Sequence, residues 1–97
     1  MTRVVVNHLR LMSPLPTEVI ASAHAVCDEI IAAGGLSAAI ARIDDTHAVL
    51  VLTFPDTATE DRISSSIGGP WMVANVLPLL ASPPERSSGE IIAGALL

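Results

Sequence analysis

Apolar positions recur every second residue near the start of the chain. Over Arg3–Met12 this alternation sets Val5, Asn7, Leu9 and Leu11 on one side and Val4, Val6, His8 and Arg10 on the other. β-Branched residues dominate the first half, so the run reads as a strand. Ser13-Pro14-Leu15-Pro16 cannot continue a hydrogen-bonded ladder and acts as a connector. The period then changes. Val19, Ile20, Ala23, Val26, Cys27, Ile30 and Ile31 recur at spacings of three and four, which predicts an amphipathic helix over Thr17–Ala33. Thr17 suits the N-cap, Glu18 suits the first turn, and Gly34-Gly35 ends the element.

Leu36–Ile43 and Ala48–Phe54 read as a hairpin joined by Asp44-Asp45-Thr46-His47. Val49 to Leu52 is apolar without alternation, as expected of a strand covered on both faces. Thr57-Ala58-Thr59-Glu60 has capping-box spacing and opens a second helical stretch, Thr59–Ala81, interrupted at Gly68-Gly69-Pro70 and bent or ended by Pro78. Ser82-Pro83-Pro84 is a turn, and a closing strand is expected over Gly89–Leu96, centred on Glu90–Ala95. The order β-α-β-β-α-β predicts an α+β, ferredoxin-like fold: a four-stranded antiparallel sheet with two helices on one face. Residues 1–97 are expected to form a single domain. Strands apolar on both sides leave the other sheet face in need of a cover, so a homodimer through the sheet faces is expected.

Composition strengthens that expectation. Apolar residues make up 51% of the chain and charged residues 15%, more apolar surface than one small core readily absorbs. The net charge is −5, lysine is absent, and the five arginines form no basic run, so nucleic-acid binding through phosphates is not expected. The absence of lysine beside many Ala, Val and Arg residues points to a GC-rich bacterial genome. A single cysteine, Cys27, precludes an intramolecular disulfide and a thiolate cluster. No signal-peptide succession and no membrane-length apolar run is visible, so a cytoplasmic protein without membrane association is expected. Without lysine, Schiff-base chemistry and a Walker-type phosphate loop are excluded.

Candidate chemistry is sparse. Asn7 interrupts a run of valines, and a buried amide needs partners or a ligand. It is either a pocket amide that orients a substrate oxygen or a structural amide bonded to backbone or water. His24 shares a helix stripe with Ile20, Cys27 and Ile31, and is either a pocket acid–base group or an edge residue. Trp71 follows a Gly-Gly-Pro break and is either a flat wall for an aromatic ligand or a core or interface anchor. His8 alternates onto the face expected to meet a second copy, and His47 falls in the hairpin loop, where solvent is expected. Cys27 reads as a small hydrophobe, Ser64-Ser65-Ser66 as a solvated face, and Arg86 as a turn cap or the partner of an acid rather than an anion binder.

The element order, Gly34-Gly35 before the second strand, and the stretch Gly69-Pro70-Trp71-Met72-Val73-Ala74-Asn75-Val76-Leu77-Pro78-Leu79-Leu80 resemble the antibiotic-biosynthesis-monooxygenase-like proteins of the dimeric α+β barrel superfamily. The resemblance implies two sheets packed face to face and one pocket per subunit between sheet and helices. It implies a pocket-facing role for Asn7, pocket aromatics in the segments of Phe54 and Trp71, and a helix-two pocket position at Asn75. With His24, read from its helix stripe, Asn7 is a catalytic candidate, and Phe54, Trp71 and Asn75 are ligand-binding candidates. Members include cofactor-independent oxygenases of polyphenolic rings and haem degraders. The histidine that holds haem in the latter would fall on Asn75, and an amide is a poor iron ligand, so no haem, metal or other cofactor is expected. Two functions follow as expectations: a cofactor-independent oxygenase-like protein acting on a small aromatic or quinone-type molecule, or a non-catalytic dimeric module that binds a small ligand or serves as a scaffold.

Overall fold

The alternating run at the N-terminus forms β1 (Arg3–Arg10), an inner strand paired antiparallel on both sides. In the computed structural model, which describes residues 1–94, it lies between β3 (His47–Phe54) and β4 (Glu85–Glu90), with β2 (Ser37–Asp44) beyond β3. The order β2-β3-β1-β4, antiparallel throughout, is the ferredoxin-like arrangement predicted from the pattern. α1 (Thr17–Ala32) and α2 (Thr57–Ile63) pack on one sheet face. There Val26 and Ile30 of α1 and Ile63 of α2 meet Val5, Leu50, Leu52 and Phe54 of the strands. Leu9, Leu11, Ala48 and Val76 form a second buried group, and Trp71, Met72 and Ile40 pack against both.

The opposite sheet face carries cross-strand rows of small and apolar side chains. One row is Ala39, Val51, Val6 and Ser87; the next is Ala41, Val49, His8 and Glu85. Nothing in the described chain covers these rows.

α1 ends in a Schellman motif. The Gly35 amide donates to the Ile30 carbonyl at 2.9 Å and the Gly34 amide to Ile31 at 3.1 Å, with Gly34 at φ +117°. The N-terminus of α1 differs from expectation. Pro16 occupies the cap, Thr17 is the first helical residue, and the Pro16 carbonyl accepts from Val19 and Ile20. The second helix also starts earlier than its spacing suggested. Asp56 is its N-cap, accepting from the Thr59 amide at 2.7 Å, and that amide bond holds the Asp56 carboxyl below its usual range. Glu60 is thereby released from capping and turns inward.

Helix two is continuous from α2 through a π-helical turn, Ser64–Gly68, into α3 (Gly69–Asn75). The cause is local. Pro70 has no amide hydrogen for the Ser66 carbonyl, and the Ser65 and Ser66 hydroxyls donate back to Asp61 and Arg62 carbonyls at 2.7 and 2.6 Å. The backbone widens by one residue, and the Gly69 amide donates to the Ser64 carbonyl. A Cβ at Gly69 would lie 2.8 Å from that carbonyl oxygen, so the close approach needs glycine. A 3-10 turn, Leu77–Leu79, carries the chain to the Ser82-Pro83-Pro84 turn.

The closing strand departs from expectation. β4 begins directly after Pro84 and ends at Glu90, rather than running over Gly89–Leu96. It is an edge strand held by its backbone ladder to β1, so the polar residues of Glu85-Arg86-Ser87-Ser88-Gly89-Glu90 suffice and discourage edge pairing with other chains. The apolar Ile91-Ile92 that suggested a strand lies past the ladder, and Ile92 is 90% exposed. Ala95 and Leu96, the end of the expected strand, lie outside the described residues.

Candidate functional site

A cavity of about 280 Å³ opens between the sheet and the second helix, near the lower end of the roughly 300–1,000 Å³ typical of ligand sites. Its floor is Val5 and Asn7 of β1 with Leu50 and Leu52 of β3. Its roof is the π-helical turn and α3, through Ser64, Gly68, Gly69, Met72 and Val73, and Arg86 of β4 closes one side. Two glycines in the roof remove side chains where the helix passes over the floor, so the π turn and the cavity share one origin in the sequence.

The polar content of this cavity is small and specific. Asn7 is 8% exposed, and its side chain makes no hydrogen bond among the described residues. No side-chain polar atom sealed from solvent among those residues is unpartnered, so the Asn7 amide reaches the open volume. Arg86 is the cross-strand partner of Asn7 on the same sheet face and the only ionised residue of the lining. It lies 3.6 Å, through Nη2, from Glu60 Oε2.

Glu60 is the anchor behind this wall. Its carboxylate accepts from Arg3 Nε at 3.1 Å and from the Ser88 hydroxyl at 2.8 Å. Burial, the largest influence, pushes its carboxyl up. The bonds from Ser88 and Arg3 and the charges of Arg3 and Arg86 outweigh burial, and the net effect holds it below the ordinary carboxylate value. α2 is thus pinned to β1 and β4 by one charge cluster beside the cavity.

The structure separates the residues singled out from the sequence. Asn7 lines the cavity. Phe54 is fully buried in the core behind it. Trp71 is half-buried against both core groups, its indole Nε1 donating to Ser22 of α1 at 2.8 Å. Asn75 donates to the Trp71 carbonyl at 3.1 Å within α3. Neither Trp71 nor Asn75 is in the cavity lining, although their helical neighbours Met72 and Val73 are. His24 is exposed and borders a different hollow of about 260 Å³, between α1 and the edge strand β2, with Ile20, Cys27 and Ile40. In that hollow burial, and then the charge of Asp28, push the Cys27 thiol up, away from a reactive thiolate.

His47 lies in β3 rather than in the turn, and its Nε2 is 3.1 Å from His8 Nδ1 on the open sheet face. Arg86 does stand beside an acid, Glu60, as its pattern suggested, but the pattern gave neither Arg86 nor Ser64 a place in the cavity that both line. Placing the last strand directly after Pro84 would have set Arg86 beside Asn7. Among the described residues no group of three or more metal-ligating side chains converges, and no helix is long and apolar enough to cross a membrane.

No family model matches the chain, and no curated protein matches it. Solved structures do. A Nitrosomonas europaea protein of unknown function superposes with a TM-score of 0.79 at 18% identity, over 97% of this chain and 92% of that one. A variant of SnoaB, a cofactor-independent oxygenase from Streptomyces nogalater, gives 0.77 at 15% identity, over 96% and 95%. A second Nitrosomonas europaea protein, provisionally assigned as an antibiotic biosynthesis monooxygenase, gives 0.73 at 13% identity, over 94% and 90%. At these identities the likeness is one of fold: the chain has the architecture found in antibiotic-biosynthesis-monooxygenase-like proteins.

Proposed function

We propose that this protein is a cofactor-independent oxygenase-like protein whose cavity takes a small aromatic or quinone-type molecule. The observation that carries the reading is the cavity itself: a mostly apolar chamber whose floor presents an amide, Asn7, unpartnered among the described residues. Oxygenation without a cofactor requires a substrate that can give electrons to dioxygen once it has lost a proton. The protein then has to exclude water and stabilise the resulting anion. Met72, Val73 and Leu77 supply the apolar enclosure, and the Asn7 amide can donate to a developing enolate or phenolate oxygen. Phe54, Trp71 and Asn75 support the chamber from behind, by packing and by hydrogen bonds within and between helices. Oxygen uptake with a panel of hydroquinones and anthrone-type compounds tests the reading; turnover by none of them would sink it.

The same proposal includes a homodimer through the open sheet face. The rows Ala39–Val51–Val6 and Ala41–Val49–His8 form an uncovered apolar surface of the kind that soluble proteins bury. Light scattering at micromolar concentration should give twice the chain mass, and Val6→Glu should give the single-chain mass.

One observation favours the alternative, a non-catalytic dimeric module that binds a small ligand or acts as a scaffold. Arg86 is the only ionisable group in the cavity lining, and an arginine is a poor proton acceptor. A ligand that co-purifies in native mass spectrometry, together with no oxygen uptake, would decide for this reading.

A further inference from the structure

The charge around Glu60 is unbalanced. One carboxylate faces two guanidiniums, and the bonds are unequal. Arg3 takes a direct bond at 3.1 Å and a second through the Ser88 hydroxyl at 3.0 Å, whereas Arg86 stands off at 3.6 Å with its side chain 45% exposed. Glu90, opposite Arg3 in the ladder, makes no ion pair with either arginine. The remaining positive charge therefore rests on Arg86, the one charged residue in a mostly apolar chamber. Glu60 holds that guanidinium in place without consuming its hydrogen-bonding capacity, since an arginine has five donors. Across the ladder, Asn7 offers an amide without a hydrogen-bond partner among the described residues. Two donors, one of them ionised, line the same cavity from neighbouring strands.

Resting on the reading of the cavity as a site for small aromatic molecules, we infer that its ligand is bound as an anion. Its ionised oxygen, a carboxylate or a phenolate, is held by the Arg86 guanidinium with Asn7 beside it, and its ring lies under Met72 and Val73. Arg86 is then the residue that sets specificity for charge, and the apolar lining sets it for shape. A neutral molecule of the same outline leaves the guanidinium facing an apolar group and forfeits a charged hydrogen bond, which corresponds to roughly a ten- to hundred-fold loss of affinity.

Calorimetric titration of the full chain with three probes tests this. 2-Naphthoate carries a carboxylate, 4-nitro-1-naphthol is a phenolate at neutral pH, and 2-naphthamide is a neutral mimic of the first. At least one anion is expected to bind about ten-fold or more tightly than the amide, and whichever does identifies the oxygen that the site prefers. Arg86→Gln should erase that difference while leaving the affinity for 2-naphthamide within about two-fold, and Arg86→Lys should keep part of it. Val73→Trp, at an exposed position of the roof, should weaken all three probes and so place them in this cavity. Equal affinity for amide and anions, or a preference that survives Arg86→Gln, overturns the inference while the cavity reading stands. Binding of none of the three overturns both.

Discussion

Two hollows lie under the helices, of nearly equal size, and they are built on different principles. The one between α1 and β2 is walled by Ile20, Ala23, Cys27 and Ile40, with His24 at an exposed rim. It is what remains where a regular helix meets an edge strand of small residues, Ala38 and Ala39. The one beneath the second helix exists because that helix is irregular. Pro70, two glycines and a π turn form its roof, and a buried carboxylate fixes the adjacent wall. Regular packing produced a dent with one imidazole at its lip. Irregular packing produced a chamber with an open amide and a held guanidinium. The second combination can bind and polarise a ligand oxygen, so the irregular backbone and the charge gathered there mark the site more clearly than the identity of any single residue.

The sharpest way to break this comparison is to remove one polar group from each hollow. Asn7→Ala should lower oxygen uptake about a hundred-fold, the scale seen when one oxyanion-stabilising donor is lost. His24→Ala should change it by less than about two-fold. The pair of rates with an active hydroquinone checks both at once. Equal losses would show that the two hollows cooperate, and a loss confined to His24→Ala would move the chemistry to the α1 side.

The next effect concerns the wall. Glu60→Gln keeps the shape but removes the charge between Arg3 and Arg86, and should cost about 2 kcal/mol in urea unfolding at neutral pH. The pH dependence follows from the direction of the shift. The folded-state carboxyl is held below the ordinary value of 4.5, so its contribution is fully present above that value. It is lost as the pH falls through the folded value. Between those two points the wild-type protein should lose stability more steeply than Glu60→Gln, and the two unfolding curves should converge in acid.

The contrast between the hollows also explains what was legible in the sequence. Periodicity identified α1, β1 and the hairpin because their apolar positions repeat and their ends carry Gly34-Gly35 and Asp44-Asp45-Thr46. It put Asn7 on the helix-facing side for the same reason. It misplaced β4, because an edge strand can be stabilised by backbone bonds alone and Glu85–Glu90 has no apolar pattern to read. With β4 four residues too late, Arg86 fell in a turn and could not be seen beside Asn7. Glu60 looked like half of a capping box until Asp56 took the cap. Its spacing was real, but long-range partners at positions 3 and 88 decided its role, and local spacing carries no trace of them.

The smallest effects separate the two glycine-dependent turns. Gly34→Ala forces a Cβ into a left-handed conformation at the end of α1, and should cost about 1 kcal/mol. Gly34 packs against Thr59 and Arg62 of α2 but does not line the chamber, so affinity for an aromatic probe should not move. Gly69→Ala should cost a comparable 1–2 kcal/mol or so, because its Cβ would press on the Ser64 carbonyl 2.8 Å away. Here the consequence does not stop at stability. Relief requires the π turn to shift, and Ser64, Gly68 and Gly69 all belong to the roof of the chamber. A shift of a few tenths of an ångström in that roof changes its contact with a flat ligand, so probe affinity should fall several-fold although no polar group has been touched. Thermal melts and 2-naphthoate titrations of both variants read the difference. If both variants lose stability and neither loses affinity, the π turn is a packing accident above the chamber rather than the feature that shapes it.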